Sequence, residues 1–413
     1  MRQLRLTARA RLTAYRRRNW GWVGAAVALL TGIALLVGCG SAGTVGSGVS
    51  QETPGVTEDS IVVGTFMPLT GPAAAWGENA KGLAAYFKYL NDQGGVHGRK
   101  IQLIIEDDQY QPSRTVAAVK KLVEQDNVFA IVAPVGTSTL TAVRDYLRRH
   151  GVPVVAYLNG ATKFSNPVDP LLFAGLMTYE REARILVKYA AESLNLRKVG
   201  VFYQNDDFGR DGLTGAKRAA QEFGLEIVAE VSYNPADVDV SAHVLKLKES
   251  GAEGVLIWST VKHAALLMGE AQKINYRPKW LGSSVIASTS LPELAGEAAE
   301  GAYFVGYSAN IWDEDHPVVK EFLENYPRYE KTPINSSNLT GWAAGRIFAE
   351  AVRRAGPNLT REGLIRALET FDRFENTGLV TYTKDDHSGY REGFIRQFRD
   401  GKFVRITDWI SAD

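Results

Sequence analysis

Short apolar runs alternate along this chain with segments whose apolar positions recur every three or four residues, the pattern of strands and amphipathic helices taken in turn. The run 61–66 is rich in β-branched residues, and Pro68-Leu69-Thr70-Gly71-Pro72 ends it in a turn. Ala80, Leu83, Ala84 and Phe87 then share one helical face, 100–105 reads as the next strand, and Val116, Val119 and Val123 as the next helix. The same order continues through a strand at 129–135, a helix carrying Leu140, Val143 and Leu147, and a strand at 153–158. After 173–177 it restarts with a helix around Ile185, Leu186 and Tyr189, and strands at 199–203, 227–231, 254–258 and 279–282 are separated by further helices. Helical patterns fill 317–371, and strands are expected at 379–382, 394–398 and 403–407. Such alternation predicts an α/β protein with parallel sheets covered by helices on both faces. The second β/α unit is long enough for its own sheet, so two similar lobes are expected, each a mainly parallel sheet flanked by helices.

Charge changes the picture mainly at the N-terminus. The formal net charge is +1, but residues 1–38 hold seven Arg and no acid, which leaves +1 − 7 = −6 for the rest. An acidic body argues against nucleic acid as a partner. The Arg-rich start precedes an uncharged run from Trp20 to Val37, the layout of a secretory signal peptide. That run ends in Leu36-Val37-Gly38-Cys39, which matches the bacterial lipobox, and the resemblance implies cleavage before Cys39 and lipidation of its sulfur. A membrane-spanning anchor is the alternative, since the run has about the length that crosses a bilayer. Export by the twin-arginine route is a further possibility raised by Arg16-Arg17-Arg18. Residues 39–57, rich in Gly, Ser, Thr and Val, read as a lipidated flexible tether.

The stretch 129–162 holds the candidate chemistry. Two strands end in small or hydroxylated residues, Gly136-Thr137-Ser138-Thr139 and Asn159-Gly160-Ala161-Thr162, and as neighbours in a parallel sheet their ends lie side by side. Ligands collect beyond such ends, where free backbone N–H groups and helix N-termini attract anions. The hydroxyls therefore build a small polar cradle or simply cap the following helix.

Catalytic and metal chemistry find little support. The six His, at 97, 150, 243, 263, 316 and 387, show no zinc-like spacing, there is no Gly-x-Ser-x-Gly elbow, and the lone Cys is assigned to lipid. The pairs Asp107-Asp108, Asp206-Asp207 and Asp385-Asp386 read as solvated loops, because adjacent carboxylates in a strand point to opposite faces. No catalytic residue, metal or cofactor is expected.

The chain resembles the leucine/isoleucine/valine-binding protein family, the periplasmic binding proteins of type I fold. The resemblance rests on strand 61–66, Pro68-Leu69-Thr70-Gly71-Pro72, Asn91-Asp92-Gln93-Gly94-Gly95-Val96-His97-Gly98-Arg99-Lys100, Glu106-Asp107-Asp108, the hydroxyl-rich turn, Gly160-Ala161-Thr162 and Phe208-Gly209-Arg210-Asp211. It implies a three-crossing hinge, with lobe 1 formed by 58–176 and 307–394 and lobe 2 by 177–306 and 395–413. It also implies that Thr137, Ser138, Thr139, Ala161 and Thr162 hold a ligand carboxylate. Trp76 stands where the family presents an aromatic wall and Phe208 where a Tyr commonly closes from the second lobe, although each reads equally well as core. Ser284 stands where amino-acid binders place a Glu that pairs with the ligand's ammonium, which leaves Asp206 or Asp207 to supply that charge, or the ligand to lack an ammonium.

The function expected from the resemblance is capture of a small solute, a branched-chain amino acid or a related carboxylate or amide. Delivery would be to the permease of an ABC importer, by an extracytoplasmic protein held to the membrane by its lipid. A sensor that signals to a membrane receptor uses the same lobes and stays as the alternative, with an enzyme a distant third.

Overall fold

The apolar runs pair into two separate, mainly parallel sheets. In the computed structural model, which describes residues 53–412, the first sheet holds β1 (Ser60–Met67), β2 (Lys100–Asp107), β3 (Ala130–Val132), β4 (Val154–Tyr157) and β5 (Leu172–Ala174) in the order β2-β1-β3-β4-β5. Helices α1 (Asn79–Asp92), α2 (Pro112–Glu124) and α3 (Thr137–Arg149) connect the strands. Strands covered on both faces need apolar residues at every position rather than alternation, and β3, β4 and β5 are buried throughout.

The second lobe repeats the plan. It runs through α4 (Tyr179–Glu192), β6 (Lys198–Gln204), α5 (Asp207–Phe223), β7 (Glu226–Tyr233), α6 (Ser241–Glu249), β8 (Gly254–Trp258), α7 (Val261–Lys273), β9 (Lys279–Gly282), α8 (Ser290–Ala295) and β10 (Tyr303–Gly306). The chain then returns to the first sheet with α9 (Pro317–Tyr329), α10 (Ser336–Ala355) and α11 (Arg361–Leu368), and forms a small antiparallel sheet of β11 (Phe374–Glu375), β12 (Leu379–Thr383) and β13 (Asp386–Gly389). Finally β14 (Glu392–Arg399) pairs antiparallel with β10, followed by β15 (Lys402–Arg405) and β16 (Ile410–Ser411). The second sheet reads β15-β14-β10-β9-β8-β6-β7, with β16 also on β14. Consecutive elements thus change lobe three times, after β5, after β10 and after β13.

Two helices of the first lobe meet at backbone distance. A Cβ on Gly82 of α1 would stand 1.8 Å from the Asn338 carbonyl oxygen of α10, and one on Gly341 would stand 2.0 Å from that of Asn79. Only glycine permits this approach. Beside it the fully buried Trp342 packs edge-on against Tyr86, with ring centroids 5.1 Å apart.

Several elements differ from the sequence reading. The expected strand 129–135 is only three residues long because Ala133 adopts φ 54° and Pro134 has no N–H to give the ladder; pairing resumes as a single bridge, Val135 to Leu158. Ala156 bends β4 in the same way, at φ 53°. Strands β10, β11, β13 and β16 and helix α8 escape the periodicity analysis, being two to six residues long. Asp206 and Asp207 are not on a strand: they are the N-cap and first residue of α5, so both face the first lobe instead of opposite ways. Asp385-Asp386 is not simply solvated, since Asp386 pairs with Arg181 at 3.4 Å and Arg391 at 3.1 Å. Among the described residues, no helix is long and apolar enough to cross a membrane. The signal peptide at 1–38, Cys39 and most of the tether at 39–57 lie outside the described residues.

Candidate functional site

The bends at Ala133 and Ala156 bring the ends of β3 and β4 together beneath the second lobe. Buried Asn159 ties them: its Nδ2 donates to the Gly136 carbonyl at 3.1 Å and its Oδ1 accepts from the Ala161 N–H at 3.1 Å. Gly136 is the N-cap of α3 at φ 107°, and a Cβ there would lie 2.4 Å from Thr139 Oγ1 and 2.7 Å from the Tyr110 ring. The first N–H groups of a helix have no partner within it, so Thr137, Ser138 and Thr139 present backbone donors at this point. Their side chains behave differently from one another. Thr139 Oγ1 is spent on the Val135 carbonyl at 2.7 Å, whereas buried Thr137 Oγ1 meets no partner at hydrogen-bond geometry among the described residues.

The lobes bond directly to each other around this cradle. Ser138 Oγ donates to Asp206 at 3.2 Å, Thr141 Oγ1 to Asp207 at 3.2 Å and Lys163 Nζ to Asp207 at 2.6 Å, while the N–H and hydroxyl of Thr162 both reach Asp211 at 3.1 Å. Lys163 holds the Asp207 carboxyl below its ordinary range, and burial pushes those of Asp206 and Asp211 up. Asp206 also caps α5 through the Gly209 N–H at 3.2 Å. The two Asp residues therefore lie on the rim, engaged with the opposite lobe.

Inside the rim are two cavities that share Trp76 and Leu176. One, of about 30 Å³, lies by the cradle and is lined by Gly136, Leu158, Tyr110, Tyr179, Phe208 and Val285, among others. The other, of about 80 Å³, extends toward the lobe crossings and includes Ser284, Tyr307, Tyr390, Ser336, Asn376 and Arg396. Among the described residues, no Asp or Glu lines either of them, and Arg396 is the single charged residue. Buried Ser336 Oγ and Asn376 Oδ1 also lack hydrogen-bond partners among the described residues.

Ser284 brings an unexpected carboxyl to the site. Glu182 of α4 is wholly buried, accepting from the Ser284 N–H at 3.3 Å and from the Ser284 hydroxyl, which also lies 3.3 Å from the Tyr307 phenol. Burial pushes the Glu182 pKa up to about 8, and the bonds from Ser284 only partly oppose this. At neutral pH this acid is mostly protonated and stands behind Ser284 rather than on the cavity surface.

Of the residues singled out from sequence, Trp76, Phe208 and Ser284 line the cavities. Trp76 is half-buried, and Phe208 packs on Tyr179 with centroids 5.0 Å apart. Thr137, Ser138, Thr139, Ala161, Thr162, Asp206 and Asp207 surround the cradle without lining either cavity. Sequence reasoning passed over Glu182, Asp211, Tyr307, Tyr390 and Arg396. For two of them a signal was present. Glu182 lies three and four residues before Ile185 and Leu186, on the apolar face of its helix, and Arg396 shares one strand face with Phe394 and Phe398.

Two mainly parallel α/β lobes, crossed three times by the chain around a polar-rimmed cleft, define a cleft-binding protein. The chain belongs to the family described as Periplasmic binding protein, whose profile matches residues 60–402. The family is one of extracytoplasmic solute-binding proteins. Among its relatives, Leu/Ile/Val-binding protein homolog 3 of Brucella melitensis is 26% identical over 349 residues, covering 84% of this chain and 93% of the relative. A substrate-binding periplasmic protein from Ralstonia solanacearum superimposes with a TM-score of 0.78 at 27% identity, over 84% of this chain and all of that one. A fatty acid ABC transporter substrate-binding protein from Thermomonospora curvata gives a TM-score of 0.78 at 25% identity, over 87% and 95%.

Proposed function

We propose that this protein is the lipid-anchored, extracytoplasmic capture component of an ABC importer. It closes its two lobes, the chain crossing between them after β5, β10 and β13, on a small solute bearing a carboxylate on an apolar body, and presents the closed form to the permease. The observation that carries the reading is the pair of cavities meeting at Trp76, beneath rims that bond lobe to lobe. The relatives support the solute class, since a protein named for leucine, isoleucine and valine and one named for a fatty acid share that chemistry. The carboxylate is assigned to the start of α3, where the backbone N–H groups of Thr137, Ser138 and Thr139 and the Thr137 hydroxyl offer charge-assisted bonds without an Arg, next to the turn at Ala161 and Thr162. Trp76 and Phe208 flank the apolar body. The anchor rests on Leu36-Val37-Gly38-Cys39, and incorporation of a tagged fatty acid by cells tests it.

Calorimetry on the wild-type protein with leucine, 4-methyl-2-oxopentanoate, hexanoate and phenylacetate tests the solute class. Thr162→Ala removes the hydroxyl that bonds Asp211 across the rim at 3.1 Å and should weaken binding about tenfold by destabilising the closed form, the usual worth of one bond to a charged group. Failure of every carboxylate to bind rejects the reading.

A further inference from the structure

The hinge end of the cleft has a charge that no element of the cradle accounts for. Arg396 stands in β14 between Phe394 and Phe398, is only 6% exposed, and borders the larger inter-lobe cavity. A guanidinium carries five N–H donors. Here Nη2 donates to the Ser308 carbonyl and approaches Asp313 at 3.4 Å, while Nε and Nη1 meet no acceptor among the described residues. Burial draws its pKa down to about 10, which still leaves it a cation at neutral pH. Its other side borders an outer cavity of about 540 Å³, where Asp313 and Glu375 share the field with Arg346 and Arg405. On the inner side it is the only charge among the described residues. A buried cation with unused donors and no full counter-ion is costly, and a ligand anion relieves that cost.

The environment of Ser284 points the same way. An ammonium in the larger cavity would find no carboxylate on its lining, and the acid behind Ser284 is mostly protonated at neutral pH. The Ser336 hydroxyl, on the same lining and without a hydrogen-bond partner among the described residues, is a further donor.

We infer that the solute carries a second anionic group, with no ammonium, and that Arg396 receives this group at the hinge end while the hydroxyl cradle holds the first carboxylate. The site is thus built for a dicarboxylate-type acid. The inference rests on the proposed solute-binding function and narrows it.

The test compares succinate, glutarate and adipate with hexanoate and leucine by calorimetry, on the wild type and on Arg396→Gln. At least one diacid should bind about tenfold or more tighter than hexanoate and leucine, and that preference should collapse in Arg396→Gln. Thermal unfolding establishes whether the variant folds. If it does not, Asp313→Asn decides: this half-exposed carboxylate competes for the guanidinium, so its removal should increase the preference for the diacid. Three results overturn the inference: hexanoate or leucine binding as tightly as every diacid, a diacid preference undiminished in folded Arg396→Gln, or, with that variant unfolded, a preference unchanged in Asp313→Asn. If monocarboxylates bind without a diacid preference, the solute-binding function stands and only the inference falls. If no acid of any kind binds, both fall.

Discussion

Replacing Glu182 by Gln should make the protein more stable at neutral pH, although it alters a buried hydrogen-bonded group. The native carboxyl has its pKa raised from the ordinary 4.5 to about 8 by burial. Between those values the folded chain keeps a proton that the unfolded chain has released, so the folded state binds more protons and loses stability as pH rises. Each pH unit in that window costs about 1.4 kcal/mol. The loss begins near pH 4.5, reaches about 3 kcal/mol by pH 7, and levels off near about 5 kcal/mol above pH 8. Gln has the shape of the protonated acid and can still accept from the Ser284 N–H, but it does not titrate. The assay is urea unfolding of wild type and Glu182→Gln at intervals from about pH 5 to about pH 8.5. The stability gap in favour of Gln should widen by roughly 1.4 kcal/mol per pH unit up to about pH 8. A gap that stays flat across this range would refute the reasoning, because it would mean that Glu182 loses its proton in the native state as readily as in the unfolded one.

Gly136→Ala should destabilise the protein by about 1–3 kcal/mol, since φ 107° suits only glycine and the added Cβ would stand 2.4 Å from Thr139 Oγ1; thermal unfolding measures the loss, and an unchanged midpoint would contradict it. Asp169→Ala should cost about 1–3 kcal/mol in urea unfolding, because this buried carboxylate receives Arg144 at 2.8 Å and Arg148 at 2.7 Å and also accepts from the Leu171 N–H at 3.2 Å; an unchanged stability would contradict it.

The layered fold was legible because strands such as 254–258 and helices such as that carrying Leu140, Val143 and Leu147 bury whole faces, and burial on that scale leaves a period in the sequence. The cleft was legible only in part. Trp76, Phe208 and Ser284 were found through local motifs, and they do line the cavities. Asp206 and Asp207 were misread geometrically because their position depends on where α5 begins, and an N-cap turns both carboxyls toward the neighbouring lobe. Glu182 and Ser284 are 102 positions apart, and Arg396 reaches the cleft only because β14 returns beside β10. Such meetings follow from topology, so no local pattern announces the partner. What the sequence does carry is half of each meeting, a charged residue set on an apolar face.

The contact of α1 with α10 has a consequence for how the proposed binding site can be remodelled. Ser336, Leu339, Thr340, Ala343, Ala344 and Ile347 of α10 line the inter-lobe cavity that holds Ser284, and glycine contacts at Gly82 and Gly341 hold the back of that helix against α1 at backbone distance. That wall has no slack behind it. A bulkier cargo cannot be admitted by sliding α10 outward, so enlargement has to come from shortening individual side chains such as Leu339 or Ile347. Directed evolution toward new solutes should therefore enrich changes on the cavity-facing stripe of α10 and purge them from its glycine seam.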